Sequence, residues 1–164
     1  MKISQLFTQK KAVWSFEIFP PKPTADIGAV RGTIEALAKL SPDYISVTCS
    51  AGGSGNSRTP EIAELVKACG VEPLAHLTCI NSEQNEIDEA LLKLHEGGVG
   101  NILALRGDRI EGAKESKTFR YAADLVRYIR RSGYDFDLAA ACYPEGHPEA
   151  PDLVTDCLLY TSPS

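Results

Sequence analysis

Asn101-Ile102-Leu103-Ala104-Leu105-Arg106-Gly107-Asp108 begins apolar and ends abruptly in charge. From Ile102 to Leu105 polar and apolar residues do not alternate, which is how a strand buried on both faces reads, as in a parallel sheet covered by helices. A cation, a flexible backbone point and a carboxylate then stand where such a strand leaves the sheet. In parallel α/β folds the carboxyl ends of the strands are where ligands bind. Arg106-Gly107-Asp108 therefore reads either as a charged turn or as part of a binding rim. An adhesion tripeptide does not suit a segment that follows a buried strand.

On both sides of this stretch the same unit recurs. After a short polar lead, Val13 to Phe19 predicts a first strand, ended by Pro20-Pro21 because proline cannot donate to a ladder. Alternation puts Trp14, Phe16 and Ile18 on one of its faces and Ser15, Glu17 and Phe19 on the other. A helix follows, with Val30, Ile34, Leu37 and Ala38 on one side. Tyr44 to Thr48 is a second strand, running into Cys49 and a glycine-rich stretch. Thr59-Pro60-Glu61 opens the next helix as cap, first-turn proline and acid at the positive dipole end. Its apolar residues Ile62, Leu65, Val66 and Cys69 fall at the helical period.

Pro73 to Leu77 is a third strand, and Asn81 is placed to cap a helix whose stripe is Ile87, Ala90, Leu91 and Leu94, with Gly97-Gly98 at its end. Beyond the opening stretch, Tyr121, Leu125, Tyr128 and Ile129 mark a further helix, closed by Arg130-Arg131 and Gly133. Phe136 to Cys142 is a fifth strand. Strand and helix alternate at roughly thirty-residue intervals, the length of βαβ units that build a parallel sheet. Two architectures satisfy this pattern: the start of an eight-stranded barrel, or a doubly wound sheet of about five strands.

The 164 residues make one domain's worth of chain, 43% hydrophobic and 24% charged, as in ordinary globular proteins. A net charge of −5 without a basic block excludes an electrostatic nucleic-acid footprint. No apolar run approaches the length of a membrane helix, and the N-terminus lacks a signal-peptide core. The five cysteines form no Cys-x-x-Cys pair, which argues against a zinc site and for free thiols in a cytoplasmic setting.

Polar residues among apolar neighbours gather at the predicted strand ends: Glu17, Thr48, His76, Arg106, Asp108, Tyr143 and His147. In either architecture these ends share one rim. Glu17, between Phe16 and Ile18, reads as a carboxylate paired with Arg106 across the sheet, or as a desolvated carboxyl able to hold a proton near neutral pH. His76 reads as a hydrogen-bonded core histidine or a ligand contact. Cys49, Cys79 and Cys142 read as small hydrophobes, since no metal-ligand spacing links them to the histidines. Gly52-Gly53-Ser54-Gly55 fits neither glycine-rich nucleotide fingerprint. Tyr121 stands near the start of its helix, where it can reach the rim.

Five motifs occur together in this order: Phe16-Glu17-Ile18-Phe19-Pro20-Pro21-Lys22, Ser46-Val47-Thr48, Ala75-His76-Leu77-Thr78-Cys79, Leu105-Arg106-Gly107-Asp108 and Tyr143-Pro144-Glu145-Gly146-His147-Pro148-Glu149. In order and spacing they resemble the methylenetetrahydrofolate reductase family, from about Ser15 to Asp156. The resemblance implies a (β/α)8 TIM barrel, of which this chain holds about the first five βα units. It also implies non-covalent FAD at the carboxyl ends of the strands, NADH or NADPH as reductant and 5,10-methylenetetrahydrofolate as substrate. The product is 5-methyltetrahydrofolate, within one-carbon metabolism feeding methionine biosynthesis.

In such enzymes the nicotinamide reduces the flavin and leaves before folate binds the same flavin face. Glu17 matches the glutamate that helps protonate the folate, opening its five-membered ring to an iminium that accepts hydride. Asp108 matches the aspartate beside the flavin that also contacts the pterin. Thr48, Cys49 and Ala51 fall on flavin or nicotinamide contacts, although the family often carries an aromatic residue in place of Cys49. His76, Arg106, Gly107, Tyr121, Ala122, Tyr143, His147 and Asp156 fall on FAD contacts. Arg106 suits a phosphate or ribityl oxygen, and Gly107 permits close backbone approach. No metal enters this set, and the full-length protein is expected to be a homo-oligomer.

After Asp156 the family continues into a helix with a Leu-Lys-x-Lys pattern, whereas this chain reads Cys157-Leu158-Leu159-Tyr160-Thr161-Ser162-Pro163-Ser164. The expectation is an N-terminal barrel portion over 1–156 with an anomalous tail at 157–164, catalytic by family but inactive as this fragment. Two other readings stand beside it. One is a small α/β nucleotide-binding module without redox activity, and the other is a structural domain stabilised by a partner.

Overall fold

Parallel strands laid side by side in chain order form the sheet of this computed structural model, which describes residues 1–21, 26–49, 57–109, 115–142, 145–146 and 151–155. The strands are β1 (Ser15–Ile18), β2 (Tyr44–Val47), β3 (Glu72–Thr78), β4 (Asn101–Leu105) and β5 (Asp137–Ala140). All four neighbouring pairs are parallel, with order β1-β2-β3-β4-β5. The helices are α1 (Ile3–Gln9), α2 (Ile27–Ala38), α3 (Thr59–Ala68), α4 (Gln84–Glu96) and α5 (Ala122–Arg131).

The sheet has two unlike faces. On one, Ile18, Ile45, Val47, Ala75, Leu77, Ile102 and Ala104 form a single apolar cluster with Ile34 of α2, Ile62 and Val66 of α3, Leu91 and Leu94 of α4, and Leu125 and Ile129 of α5. Each of those helices presents a stripe at helical spacing, as the sequence predicts. Because α2 to α5 all cover the same face and the strand order never reverses, the doubly wound arrangement is excluded. A sequential, singly wound sheet remains.

The other face is covered only in part. At the amino ends of the strands, Ile3 and Leu6 of α1 pack on Leu74, with Val13, Tyr44, Leu103 and Ala139 around them. The predicted polar lead is thus a helix. It has no side-chain cap of its own, and its first-turn N–H groups, which no helical carbonyl reaches, are satisfied from the sheet instead. The Ile3 N–H donates to Asn101 Oδ1 at 2.8 Å and the Ser4 N–H to Asp137 Oδ2 at 2.7 Å. Asn101 is fully buried and donates in turn to the carbonyls of Pro73 and Met1. The Met1 ammonium and Lys67 both lie 2.7 Å from Glu72 Oε1.

This half-covered face also corrects the reading of β4. Ile102 and Ala104 are buried beneath helices, whereas Leu103 and Leu105 are half-buried on the other side. Two helix caps differ from expectation as well. In α3 Arg58 occupies the cap position, and Thr59, already helical, donates its hydroxyl to the Thr48 carbonyl at 2.7 Å. In α4 Glu83 is the cap and forms a reciprocal box with Glu86. Asn81 instead donates to the Asp108 carbonyl at 2.7 Å, tying the loop after β3 to the loop after β4.

Candidate functional site

Along the uncovered half of the second face, the strand register determines who meets whom. Glu17 of β1 is opposite Ser46 of β2, and Ser46 is opposite Leu74 of β3. His76 follows two residues on, on the same face as Leu74 and toward the carboxyl end. The Ser46 hydroxyl lies 2.6 Å from His76 Nε2 and 3.4 Å from Glu17 Oε2. Glu17 and His76 are 3.7 Å apart at their nearest atoms, too far for a hydrogen bond. Ser46 is buried, the His76 ring is one-tenth exposed, and the Glu17 side chain is half exposed.

Burial pushes the His76 imidazole below its ordinary value, while the nearby Glu17 carboxylate pulls weakly the other way. The ring is therefore neutral at pH 7. A serine, a histidine and a glutamate in contact invite comparison with a nucleophilic triad, but the geometry differs. There the acid holds one ring nitrogen and the hydroxyl the other. Here both reach toward Nε2. The arrangement suits holding or moving a proton near Glu17, with no nucleophile activated.

Two expectations for Glu17 change. The described residues leave its side chain half open, so the close apolar enclosure read from Phe16 and Ile18 is absent on its own face. Its polar contacts are Ser46 and His76. β4, which leads to Arg106, lies three strands away, about 14 Å at ordinary strand spacing.

The remaining rim is knitted by short contacts. Thr48 and Cys49 follow β2, and the Cys49 thiol lies 3.4 Å from Thr78 Oγ1 and 3.7 Å from Ser57 Oγ. Gly107 follows β4 with φ +82°, and a Cβ there would stand 2.9 Å from the Cβ of Thr78. Its missing side chain thus lets the end of β4 close on the end of β3. The Arg106 carbonyl accepts from the Cys79 and Ile80 N–H groups at 3.1 and 2.8 Å. Asp108 is exposed beyond this crossing.

Cys79 is buried, donates to the Tyr121 carbonyl and has its thiol pushed up to about 12 by burial, so it is inert packing. Cys142, expected to pack likewise, is exposed. Tyr121 caps α5 and is 42% exposed, and Ala122 begins that helix. Ala51, Tyr143, His147 and Asp156 lie outside the described residues, as do Gly52-Gly53-Ser54-Gly55 and residues 157–164.

Ser46 was missed as a functional residue. Its signal was available: in Tyr44-Ile45-Ser46-Val47-Thr48 the polar residues share one strand face, and the first strand's Glu17 lies on a matching face. No described helix is long and apolar enough to cross a membrane.

A family model described as methylenetetrahydrofolate reductase matches residues 2–161. The 5,10-methylenetetrahydrofolate reductase of Pectobacterium carotovorum subsp. carotovorum is 38% identical over 146 residues, covering 88% of this chain and 48% of that protein. The Escherichia coli K12 protein of the same name is 37% identical over 145 residues, with 88% and 48% covered. Methylenetetrahydrofolate reductase 1 of Schizosaccharomyces pombe is 38% identical over 151 residues, covering 88% of this chain and 25% of that protein. The chain spans between a quarter and a half of the length of these relatives.

Proposed function

The chain belongs to the methylenetetrahydrofolate reductase family, and we propose that it forms part of a (β/α)8 barrel that reduces 5,10-methylenetetrahydrofolate to 5-methyltetrahydrofolate with FAD and NADH or NADPH. The observation that carries this reading is the meeting of Glu17, Ser46 and His76 on the uncovered face near the carboxyl ends of β1 to β3. There the family pattern expects a proton donor beside a flavin contact. Residues 1–156 would be the first βα units of the barrel, in a cytoplasmic, homo-oligomeric enzyme.

The residues present suit a flavin. A guanidinium at Arg106, a hydroxyl at Thr48, a neutral imidazole at His76 and a side-chain-free turn at Gly107 offer donors and close backbone approach on one rim. His76, Thr48, Cys49, Arg106, Gly107, Asp108, Tyr121 and Ala122 would hold FAD, joined by Ala51, Tyr143, His147 and Asp156. Bound FAD supplies the two-electron redox chemistry that no side chain here provides. Glu17 delivers a proton to the folate nitrogen that leaves as the five-membered ring opens. Asp108 orients the pterin from the end of β4.

The test has two stages. FAD titrated into residues 1–164 is expected to bind weakly if at all and to give no turnover, because β1 and β5 both end the sheet without a neighbouring strand among the described residues. With the C-terminal half of a relative joined on or added, NADH or NADPH oxidation should yield 5-methyltetrahydrofolate. Failure to take up FAD once the C-terminal half is supplied overturns the proposal. Nucleotide binding without flavin uptake favours the plain nucleotide-binding module.

A further inference from the structure

We infer that Ser46 is a positioning residue, the link through which His76 and Glu17 exchange a proton without touching each other. This rests on the reading of Glu17 as the proton donor. The carboxylate and the ring are 3.7 Å apart, beyond hydrogen-bond reach, while one hydroxyl lies within reach of both. Ser46 is 5% exposed, so its hydroxyl has little access to water.

A hydroxyl can donate one hydrogen bond and accept two, which gives this chain of groups two polarities. With Glu17 ionised and Nε2 protonated, the ring donates to Ser46 Oγ and the hydroxyl donates to Glu17 Oε2. With Glu17 protonated and Nε2 bare, the carboxyl donates to Oγ and the hydroxyl donates to Nε2. Passing from the first to the second moves one proton off Nε2 and one onto Oε2. The imidazolium becomes neutral imidazole, the carboxylate becomes the acid, and Ser46 is unchanged. After Glu17 has given its proton to the folate, the ring, neutral at rest, takes up one proton from water at its exposed edge, and this transfer passes it to the carboxylate. Burial of the ring favours the neutral imidazole and so drives the proton toward the carboxyl.

The groups around the ring leave few other partners. β1 contributes Glu17 and β2 contributes Ser46, with the Cys49 thiol just beyond. α2 to α5 pack on the opposite face of the sheet from the ring. Among the described residues, Glu17 is the charged group that acts on the ring.

The experiment is an NMR titration of the His76 side chain in the full chain, read as a double-mutant cycle between Glu17→Gln and Ser46→Ala. In the parent chain, Glu17→Gln is expected to lower the His76 midpoint, because it removes the carboxylate's pull. With Ser46→Ala already present, that shift should fall to less than about half, since the linking hydroxyl is gone. An undiminished shift means direct coupling through space and overturns the inference.

If Ser46→Ala disturbs folding, Ser46→Thr and Ser46→Val replace it. These two share a shape, and only Thr should retain the parent coupling; equal behaviour again overturns the link. In the flavin-loaded enzyme, Ser46→Val should slow reoxidation by folate relative to Ser46→Thr and change its pH profile, leaving reduction by the nicotinamide alike in both. If Glu17→Gln leaves folate reduction intact, the proton-donor reading fails, while the titration cycle still decides the link by itself.

Discussion

Leu74 and His76 stand two residues apart on the same face of β3, yet they belong to different environments. Leu74 is 7% exposed, lies under α1 and packs with Ile3 and Leu6. His76 lies past the reach of that helix and meets a hydroxyl and a carboxylate instead. One strand face is therefore closed at its amino end for stability and left open at its carboxyl end for polar groups. In parallel sheets of this type, conservation of shape at the amino end and of chemistry at the carboxyl end follows from the same division. The closed end is held by apolar contact and by backbone hydrogen bonds to buried Asn101; the open end is held by a few side-chain bonds.

The difference is sharpest in what each end should lose on mutation. In the flavin-loaded enzyme, Glu17→Gln at the open end is expected to cost about two or more orders of magnitude in reduction of methylenetetrahydrofolate, the scale for removing a general acid. Reduction of the flavin by nicotinamide should persist. Stopped-flow measurement of the two half-reactions checks this, and equal losses in both would make Glu17 a structural residue.

At the closed end the expected loss is stability. Asn101→Ala strands the Ile3 N–H and the Pro73 carbonyl without their partner, at about 3 kcal/mol for two unsatisfied buried groups. Leu74→Ala should cost about 2 kcal/mol, near the lower bound for such truncations because its cluster is small. Urea unfolding midpoints read both. If either variant unfolds at the parent midpoint, α1 is not a structural cover, and the contrast between the two ends collapses.

Gly107→Ala probes the seam between β3 and β4 at the open end. A left-handed backbone with a side chain costs about 1–2 kcal/mol, and the contact with Thr78 adds to it. The expected signature is a lower unfolding midpoint together with weaker FAD binding. A loss of stability alone would confine Gly107 to packing.

The smallest effects are those of pH, and they separate the ends by range. His76 is held below its ordinary value of 6.5, so the unfolded chain binds the proton first. Its contribution is complete above 6.5 and is lost as pH falls through the lower folded value. Glu72 is the acid counterpart at the closed end. Burial works against its charge, but Lys67 and the Met1 ammonium hold it below its ordinary value of 4.5. Its contribution is complete above 4.5 and is lost as pH falls further. Urea midpoints measured against pH should show two steps, the upper removed by His76→Gln and the lower by Glu72→Gln. A single step common to all variants would mean the ends titrate as one.

Periodicity made the covered face legible in the sequence. Phe16 with Ile18, and Ile62 with Val66, obey the two-residue and helical repeats because one helix-packed surface selects them. α1 escaped that test. With two buried residues in one short segment and its caps supplied by Asn101 and Asp137, nothing local marks it as a helix. The capping roles expected of Thr59 and Asn81 differ for a related reason, although α3 does begin at Thr59. Both side chains can cap, but tertiary contacts to Thr48 and Asp108 claim them first.

Determined by the sequence itself were the alternation of strand and helix, the stripe of each long helix and the polar residues Glu17, Thr48, His76, Arg106 and Asp108 toward the strand ends. These depend on contacts within one element, and one element's repeat records them. The strand order, the one-sided helix cover and the partners of Glu17 came from tertiary structure alone. Register decides them: it places Ser46 opposite Glu17 across a gap of 29 residues and brings His76 beside both. No local pattern encodes which strand will be the neighbour, because that choice is made by packing of the whole sheet.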